Sequence, residues 1–434
     1  MHVPDGFINA PVSVATGVIA AAAVAVSLRG ARRELDGSSG SVGSVGSVGS
    51  GGERTAPLAG LVAAFIFSVQ MLNFPVAAGT SGHLLGGALA AILVGPYTGV
   101  LCVSVVLLMQ GVLFADGGLT ALGVNITDMA VVTTVVAYAV FRGTLKLAPR
   151  RRRSVTVASF VAALVSVPAA AVAFTAIYAL GGTTHVSLGK VFTAMVGVHV
   201  LIGIGEAAIT ALTVGAVVAV RPDLVYGARG LTRTLEIRTA AVAAPARPAA
   251  EADDAAPAAS AAVSAATAAS AVGGVAARAA ERDEEAGAAP SGAAAADAGA
   301  VAARAARPGG EAAPPMAAAR RSTRRVWAVG VAAALLCAGV VSFYASASPD
   351  GLEKVAHDNG IDKKTEDHAA KDSPFADYGV KDITDARLSG GLAGVIGVGA
   401  TLAVGSGLFV VVRRRAKKAA GPAAIPSAHD SETV

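Results

Sequence analysis

The sequence predicts an all-α polytopic membrane protein, in which a long Ala-rich cytoplasmic linker joins a seven-helix bundle to a two-helix transmembrane hairpin. Hydrophobic residues make up 54% of the 434 residues, and charged residues make up only 15%. The mean hydropathy of +0.61 is too high for a soluble protein of this size. Apolar runs of about 18 residues or more also recur, and each is long enough to cross a hydrocarbon core as a helix.

Nine apolar runs are candidate membrane spans. The two runs that meet at Gly95 and Pro96 share a short turn, and the first of them is below the usual spanning length. The number and the ends of the spans between 82 and 114 are therefore left open. The nine candidates are 10–28, 57–74, 82–95, 97–114, 119–141, 154–180, 190–220, 326–346 and 389–412.

The distribution of Lys and Arg predicts the orientation, because basic loops stay on the cytoplasmic side. The loops at 75–81, 115–118 and 181–189 carry no Lys or Arg. An alternating path through nine spans then places the N-terminus outside and the C-terminus in the cytoplasm. The basic clusters that define the inner side are Arg29, Arg32 and Arg33; Arg142, Lys146 and Arg150 to Arg153; Arg221; Arg320, Arg321, Arg324 and Arg325; and Arg413 to Arg415 with Lys417 and Lys418.

The first 28 residues do not have the pattern of a cleaved signal peptide, because they carry Asp5 and no Lys or Arg ahead of the apolar run. We therefore expect Met1 to be retained. The sequence pI of about 9.3 comes mostly from the loop arginines, so the basic charge indicates a membrane and not a nucleic acid as partner. Cys102 and Cys337 lie in predicted spans, where a small apolar packing role is expected.

Two low-complexity stretches divide the chain. The Gly/Ser-rich repeat at 37–52 predicts a flexible cytoplasmic loop. A longer stretch is dominated by Ala and lacks the Leu, Ile and aromatic residues that a packed core needs. The predicted organisation is a seven-span module at 1–221, a linker at 222–321, a two-span module at 322–418 with an external loop at 346–388, and a cytoplasmic tail at 419–434.

Motifs for soluble catalysis are absent from the sequence. Gly189 and Lys190 are followed by Val191 and lack the glycine spacing of a phosphate-binding loop. There is also no C-x-x-C pair and no H-E-x-x-H. We therefore expect a protein that is not an enzyme, and any work driven by ATP must come from partner subunits.

Polar residues inside predicted spans are costly, at about 2.5–3.5 kcal/mol for a central charge, and are therefore candidates for function. His199 and Glu206 lie seven residues apart on one helix, so both face the same side. The sequence leaves two roles open for this pair, namely a hydrogen bond between helices and support for a binding site. The same two roles are open for Asn125 and Asp128. The other polar residues of the first module's spans are Gln70, Asn73, His83 and Gln110.

The N-terminal Met1 and His2 form a chelating pair. The terminal amine, the amide nitrogen of His2 and its imidazole Nδ1 can close two rings on one metal ion. A further imidazole would complete a near-square-planar set of four nitrogens, as expected for Ni(II), Cu(II) or low-spin Co(II). His83 lies at the predicted external mouth, where the short N-terminal segment can reach it, although such a histidine can also be a helix cap.

Three stretches resemble the signatures of the CbiM/NikM family, the substrate-capturing (S) components of energy-coupling factor transporters for cobalt and nickel. They are "MHVPDGFI", "FPVAAGTSGHLLGGALAAILVGPYTG" and "HVLIGIGEAAIT", and the resemblance covers about residues 1–220. Further on, "SPDGLEKVA" and "KDSPFADYGV" resemble the PDGLE domain, which stands in for the small CbiN-type subunit. The Gly/Ser-rich loop and the Ala-rich linker depart from the compact family pattern.

The resemblance implies a function and a site. It implies an importer component for cobalt ions in the bacterial plasma membrane, with the ion held by the Met1 amine, the amide and imidazole of His2, and His83. It also implies a CbiQ-type membrane subunit, a CbiO-type ATPase and no permanent cofactor, because the divalent ion is the substrate. Nickel is the alternative substrate, since the Irving–Williams order does not favour Co(II) over Ni(II) at nitrogen ligands.

A second reading comes from a different functional class. The "GTSG" segment at 79–82 resembles the nucleophile segment of rhomboid intramembrane proteases, with Ser81 as nucleophile and His199 as base. However, the "HVLIG" segment has one residue too many for the rhomboid H-x-x-G spacing. This reading also assigns no role to the N-terminus.

Overall fold

The computed structural model describes residues 1–35, 55–77, 79–149, 151–229 and 323–419. The Gly/Ser-rich loop and nearly all of the Ala-rich linker and of the C-terminal tail, which were named above, lie outside these described residues. The described ranges belong to one compact unit, which comprises residues 1–234 and 321–434.

Helices dominate the N-terminal part of this unit. A π-helical segment, Ile126–Val132, connects the fifth helix to the sixth without a break. The helices are α1 (Ala10–Leu35), α2 (Thr55–Gln70), α3 (Gly87–Val94), α4 (Pro96–Leu113), α5 (Leu122–Asn125), α6 (Thr133–Leu147), α7 (Arg152–Gly181) and α8 (Leu188–Val220).

The C-terminal part contributes α9 (Thr323–Gly339), α10 (Gly351–Asn359) and α11 (Ala386–Ala419). Within the described ranges, seven helical stretches are long and apolar enough to cross a membrane. Five of them lie in the N-terminal part, and the other two form the hairpin of the C-terminal part. The prediction of a polytopic, mostly helical membrane protein is therefore confirmed.

The prediction that residues 82–95 form one membrane-spanning helix is wrong. Only the eight residues of α3 are helical there, and at about 1.5 Å per residue they cover about 12 Å. Gly86 has a φ of 89°, in the left-handed region, and delays the start of the helix. At the other end, Gly95 stops α3 with a φ of 103°, and Pro96 starts α4. The preceding predicted span is also short, since α2 has 16 residues.

The chain ahead of α3 is extended, which agrees with the predicted loop at 75–81. Strand β1 (Phe74–Ala77) pairs antiparallel with β2 (Thr80–Gly82), and residues 83–86 continue towards α3 without regular structure. This small hairpin departs from an all-α fold. It places His83 just beyond β2, at the same end of the bundle as the N-terminus.

Buried side chains form hydrogen bonds with the backbone groups that the irregular segment before α3 leaves unpaired. The Glu206 carboxylate accepts hydrogen bonds from the backbone N–H groups of Leu85, at 2.6 Å, and Gly86, at 3.1 Å. The Gln70 amide donates to the Leu85 carbonyl oxygen at 2.9 Å. Non-helical backbone inside a membrane protein needs such partners, because lipid offers none.

The C-terminal hairpin packs on the N-terminal bundle through small residues. Both α9 and α11 lie against α2. A Cβ atom added to Gly60 would collide with Ser406, and one added to Gly397 would collide with Phe67, so the helices approach closely at these glycines. Close approach through glycine is a common way for helices to associate in membranes.

Candidate metal site

The N-terminal segment is folded into the bundle. Met1 is 3% exposed, and Val3 is fully buried. Asn125 donates from Nδ2 to the Val3 carbonyl oxygen and accepts from the Val3 N–H at 2.8 Å. Asp5 is anchored in a similar way, because its Oδ1 accepts from the N–H and the hydroxyl of Thr120. A Cβ at Gly118 would collide with Asp5, so only glycine fits beside the segment.

These contacts bring the terminal amine to His83. The Met1 nitrogen lies 2.7 Å from His83 Nε2. The rings of His2 and His83 are stacked, with centroids 5.0 Å apart and planes 19° apart. His83 Nδ1 lies 3.0 Å from the Leu84 carbonyl oxygen, which orients Nε2 towards the amine. The three residues proposed as ligands from the sequence therefore lie together.

Asp350 joins this group from the C-terminal part of the chain. Its Oδ2 lies 2.8 Å from the Met1 nitrogen and 3.6 Å from His83 Nε2. Ligand atoms of His2, His83 and Asp350 all lie within 4.8 Å of one another, which is close enough to hold one metal ion. Asp350 lies in the "SPDGLEKVA" stretch, but the sequence alone does not indicate that this residue reaches the site.

The side chains around His2 also come from both parts of the chain. His2 Nδ1 lies 3.2 Å from Asp116 Oδ1, and Nε2 lies 3.2 Å from Gln110 Oε1. The Tyr378 hydroxyl donates to Asp116 at 2.6 Å and accepts from Gln110 at 2.9 Å. One tyrosine therefore fixes both side chains that face the imidazole.

Burial and charge set the protonation of the site. Desolvation lowers the pKa of His2 from 6.5 to about 4, although Asp116 opposes the shift, so the imidazole is neutral at pH 7. Burial alone would raise the pKa of Asp350, but the Met1 ammonium and His83 outweigh it and hold that pKa well below its usual value. The site thus combines the neutral His2 imidazole with a carboxylate, and both are suited to bind a divalent ion.

The serine protease reading has no geometric support among the described residues. The Ser81 hydroxyl donates to the Ser348 carbonyl oxygen at 2.7 Å and approaches that of Pro349 at 3.2 Å. His199 Nδ1 lies 2.7 Å from the Met195 carbonyl oxygen of its own helix, and its Nε2 has no hydrogen-bond partner in the described part of the chain. Ser81 and His199 therefore do not form a hydrogen-bonded pair.

The remaining candidate residues have separate surroundings. Glu206 binds the backbone ahead of α3 and not His199, as described above. Asp128 is fully buried in the π-helical segment, one turn beyond Asn125, and the described residues offer neither of its carboxylate oxygens a hydrogen-bond partner. Asn125 supports the N-terminal segment directly.

Comparison with known proteins places both parts of the chain in known families. Residues 2–224 match the model of the family described as the cobalt uptake substrate-specific transmembrane region, CbiM. Residues 324–414 match the model of the PDGLE domain. A protein of Haloquadratum walsbyi that is named for metal transport is 38% identical over 226 residues, which are 52% of this chain and 94% of that protein.

Two further relatives carry names for different metals. The fused nickel transport protein NikMN of Rhodobacter capsulatus is 41% identical over 36% of this chain and 41% of its own length. The cobalt transport protein CbiM of Sorangium cellulosum is 35% identical over 39% of this chain and 75% of its own length. The chain therefore belongs to the CbiM family, carries a fused PDGLE domain, and is a membrane component of cobalt or nickel transport.

Proposed function

We propose that this chain is the substrate-capturing component of an energy-coupling factor importer for cobalt, and that its N-terminus binds the ion at the extracytoplasmic mouth. The observation that carries the proposal is the 2.7 Å approach of the Met1 amine to His83 Nε2, beside the His2 ring. The adjacent nitrogen donors of Met1 and His2 meet the imidazole of His83, 82 residues from Met1, in a buried site. A purely structural N-terminus would not need to bury its amine against an imidazole.

The proposed ligand set consists of four nitrogens. The Met1 amine, the His2 amide and His2 Nδ1 would form two fused chelate rings, and His83 Nε2 would take the fourth position. In the structure His2 Nδ1 faces Asp116 at 3.2 Å, so the imidazole must turn away from that carboxylate when the ion binds. The amine and the amide must also lose protons, so binding weakens as the pH falls.

Energy for import would come from partner subunits. The chain has no phosphate-binding loop, so we propose a CbiQ-type membrane subunit and a CbiO-type ATPase as partners. The basic ends of α1 and α11 support a plasma-membrane orientation with the N-terminus outside and the C-terminus in the cytoplasm. Cobalt uptake by cells should then stop when the partner ATPase is inactivated, whereas a channel or a solo permease would continue to transport.

Nickel is the alternative substrate. Relatives of this chain are named for each of the two metals. Four nitrogen donors bind Ni(II) at least as well as Co(II), so ligand type alone does not select between them. Uptake of radioactive cobalt in the presence of excess nickel, and the reverse, distinguishes the two substrates.

The test of the site uses His83→Ala in the full chain with its native N-terminus. We expect the variant to insert and fold but to lose cobalt during gel filtration, as measured by elemental analysis. His185→Ala is the matched control, because His185 is exposed in the loop between α7 and α8 and does not line the cavity at the site. If the His83 variant retains as much cobalt as the control, the proposed site is wrong.

A further inference from the structure

Asp350 combines two features that a passive surface carboxylate lacks. Its Oδ2 contacts both the Met1 amine and His83, at 2.8 Å and 3.6 Å, so it reaches the nitrogen donors directly. It also belongs to the stretch that matches the PDGLE domain, whereas the other donors belong to the CbiM part. The two fused parts of the chain therefore share one candidate site.

The fold fixes the direction of the Asp350 side chain. Asp350 caps α10, with its Oδ1 accepting from the Glu353 N–H at 2.8 Å, and the Glu353 carboxylate accepts from the Asp350 N–H in return. This capping box uses one carboxylate oxygen and leaves Oδ2 directed at the Met1 amine. The Ser81 N–H donates to the Pro349 carbonyl oxygen at 2.8 Å and ties the start of α10 to the strand that precedes His83.

Asp350 is also more accessible than the donors behind it. Its side chain is 17% exposed, compared with 1% for Met1 and 5% for His83. Asp350 and His83 line a cavity of about 1150 Å³, whose wall comes from both parts of the chain. An ion that enters through this cavity therefore meets the carboxylate before the deeper nitrogens.

We propose that Asp350 is the entry ligand for the divalent ion, supplied by the PDGLE domain to a site otherwise built by the CbiM part. This inference rests on the proposed function. The Asp350 carboxylate replaces one water of the hydrated ion and gives up its ion pair with the Met1 ammonium. The ion then displaces a proton from the amine to the solvent and binds the amine nitrogen next to His83. No electron is transferred in these steps.

The test compares the rate of cobalt binding in the full chain with its native N-terminus. CoCl₂ is mixed with purified protein in stopped flow, and the cobalt absorption is followed in wild type, Asp350→Asn and Asp362→Asn. Asn caps helices about as well as Asp, so the first variant removes the charge and keeps the cap. Asp362→Asn removes the same charge from the wall of the same cavity, where Asp362 pairs with His357 at 3.1 Å.

We expect Asp350→Asn to bind cobalt about tenfold more slowly than wild type, and Asp362→Asn to change the rate by less than about twofold. If Asp350 were only the counter-ion of the Met1 ammonium, it would hinder deprotonation of the amine, and removing its charge would leave the binding rate unchanged or raise it. An unchanged or faster rate in Asp350→Asn therefore overturns the proposal. Equal slowing in both variants overturns it as well, since general charge would then explain the effect. Asp350→Ser, which also keeps a cap, serves if the Asn variant does not fold.

Failure of this inference is distinct from failure of the proposed function. If wild type binds cobalt and His83→Ala does not, the nitrogen site stands whatever the Asp350 variants show. If wild type binds no cobalt, or if His83→Ala binds it normally, both proposals are wrong. The Asp350 comparison therefore decides the role of the PDGLE domain alone.

Discussion

Asn125 shows how a single side chain holds the N-terminal segment in place. Its amide group bonds both the N–H and the carbonyl oxygen of Val3, as a neighbouring β-strand would. Only a side chain with a donor and an acceptor side by side satisfies both backbone groups. The position of the Met1 amine, two residues earlier, depends on this pairing.

Replacing Asn125 with Ala should therefore weaken cobalt binding without unfolding the bundle. We expect the affinity to fall about 10- to 100-fold, which is typical for loss of a group that positions a metal ligand. Titration of the purified protein with CoCl₂ measures the change. Thr127→Ala is the matched control, because the Thr127 hydroxyl bonds Thr16 and does not contact the N-terminal segment. Equal affinity in the two variants would show that Asn125 does not position the site.

The buried imidazole of His2 predicts a pH dependence of stability in the metal-free protein. Its pKa falls from 6.5 to about 4 on folding, so the unfolded chain binds a proton that the folded chain does not bind between these values. The free energy of unfolding should therefore decrease as the pH falls from 6.5 towards 4, by up to ~3 kcal/mol from this residue.

Thermal unfolding in detergent at several pH values tests this expectation. His2→Asn lacks the titrating ring, so its unfolding temperature should depend less on pH over the same range. Asp350 contributes outside this range, because its pKa is held below the usual value and its stabilising charge is lost only at more acidic pH. Identical pH profiles for wild type and the His2 variant would contradict the burial of a neutral imidazole.

At the scale of the elements, the segment before α3 depends on Glu206. The two carboxylate oxygens accept from two consecutive backbone N–H groups, of Leu85 and Gly86. Glutamine has one acceptor oxygen, so Glu206→Gln leaves one buried N–H without a partner. The cost of such a group is about 1–3 kcal/mol.

We therefore expect Glu206→Gln to lower the unfolding temperature in detergent. Thr193→Ala is the matched control on the same helix, because Thr193 is exposed and its hydroxyl bonds the Gly189 carbonyl oxygen of its own helix. If the glutamine variant is as stable as this control, the carboxylate does not support the extended segment.

Sequence patterns identified some elements and not others, for physical reasons. Long apolar runs predict spans, and the chelating geometry of Met1 and His2 follows from covalent structure alone. The ends of the span at 82–95 were left open because the run is short, and its residues are apolar apart from His83. Only the backbone angles at Gly86 and Gly95 show where the helix starts and stops.

The position of Asp350 could not be predicted either. It lies 349 residues from Met1, and the Ala-rich stretch between them carries no signal about which parts of the chain meet. The prediction of a separate two-span module also gave no reason to place its external loop over the site. Contacts such as Ser81 with Pro349 are visible only in the folded chain.

At the scale of the whole molecule, the two family-matched parts are held together by packing as well as by the linker. Glycines on both sides allow α2 and α11 to approach closely, at Gly60 and Gly397. We therefore expect residues 1–221 and 322–434 to associate when they are expressed as two separate chains. A tag at the C-terminus of the second chain should co-purify the first chain and its cobalt.

Loss of the second chain should slow metal loading more than it affects folding of the first chain. The rate of cobalt binding by residues 1–221 alone, compared with the co-purified pair, measures this difference. Replacing Gly397 with Leu is a control for the interface, since the added side chain would collide with Phe67. Equal rates with and without the second chain would show that the PDGLE domain has no part in loading.

The central claim is that a free amine at Met1 binds the transported ion. Its most direct test is the cobalt content of the full chain prepared with a removable extension ahead of Met1, measured before and after the extension is cleaved and with the new N-terminus confirmed by sequencing. We expect the extended protein to lose cobalt during gel filtration and the cleaved protein to retain it. Equal cobalt in both samples would show that the Met1 amine is not a ligand.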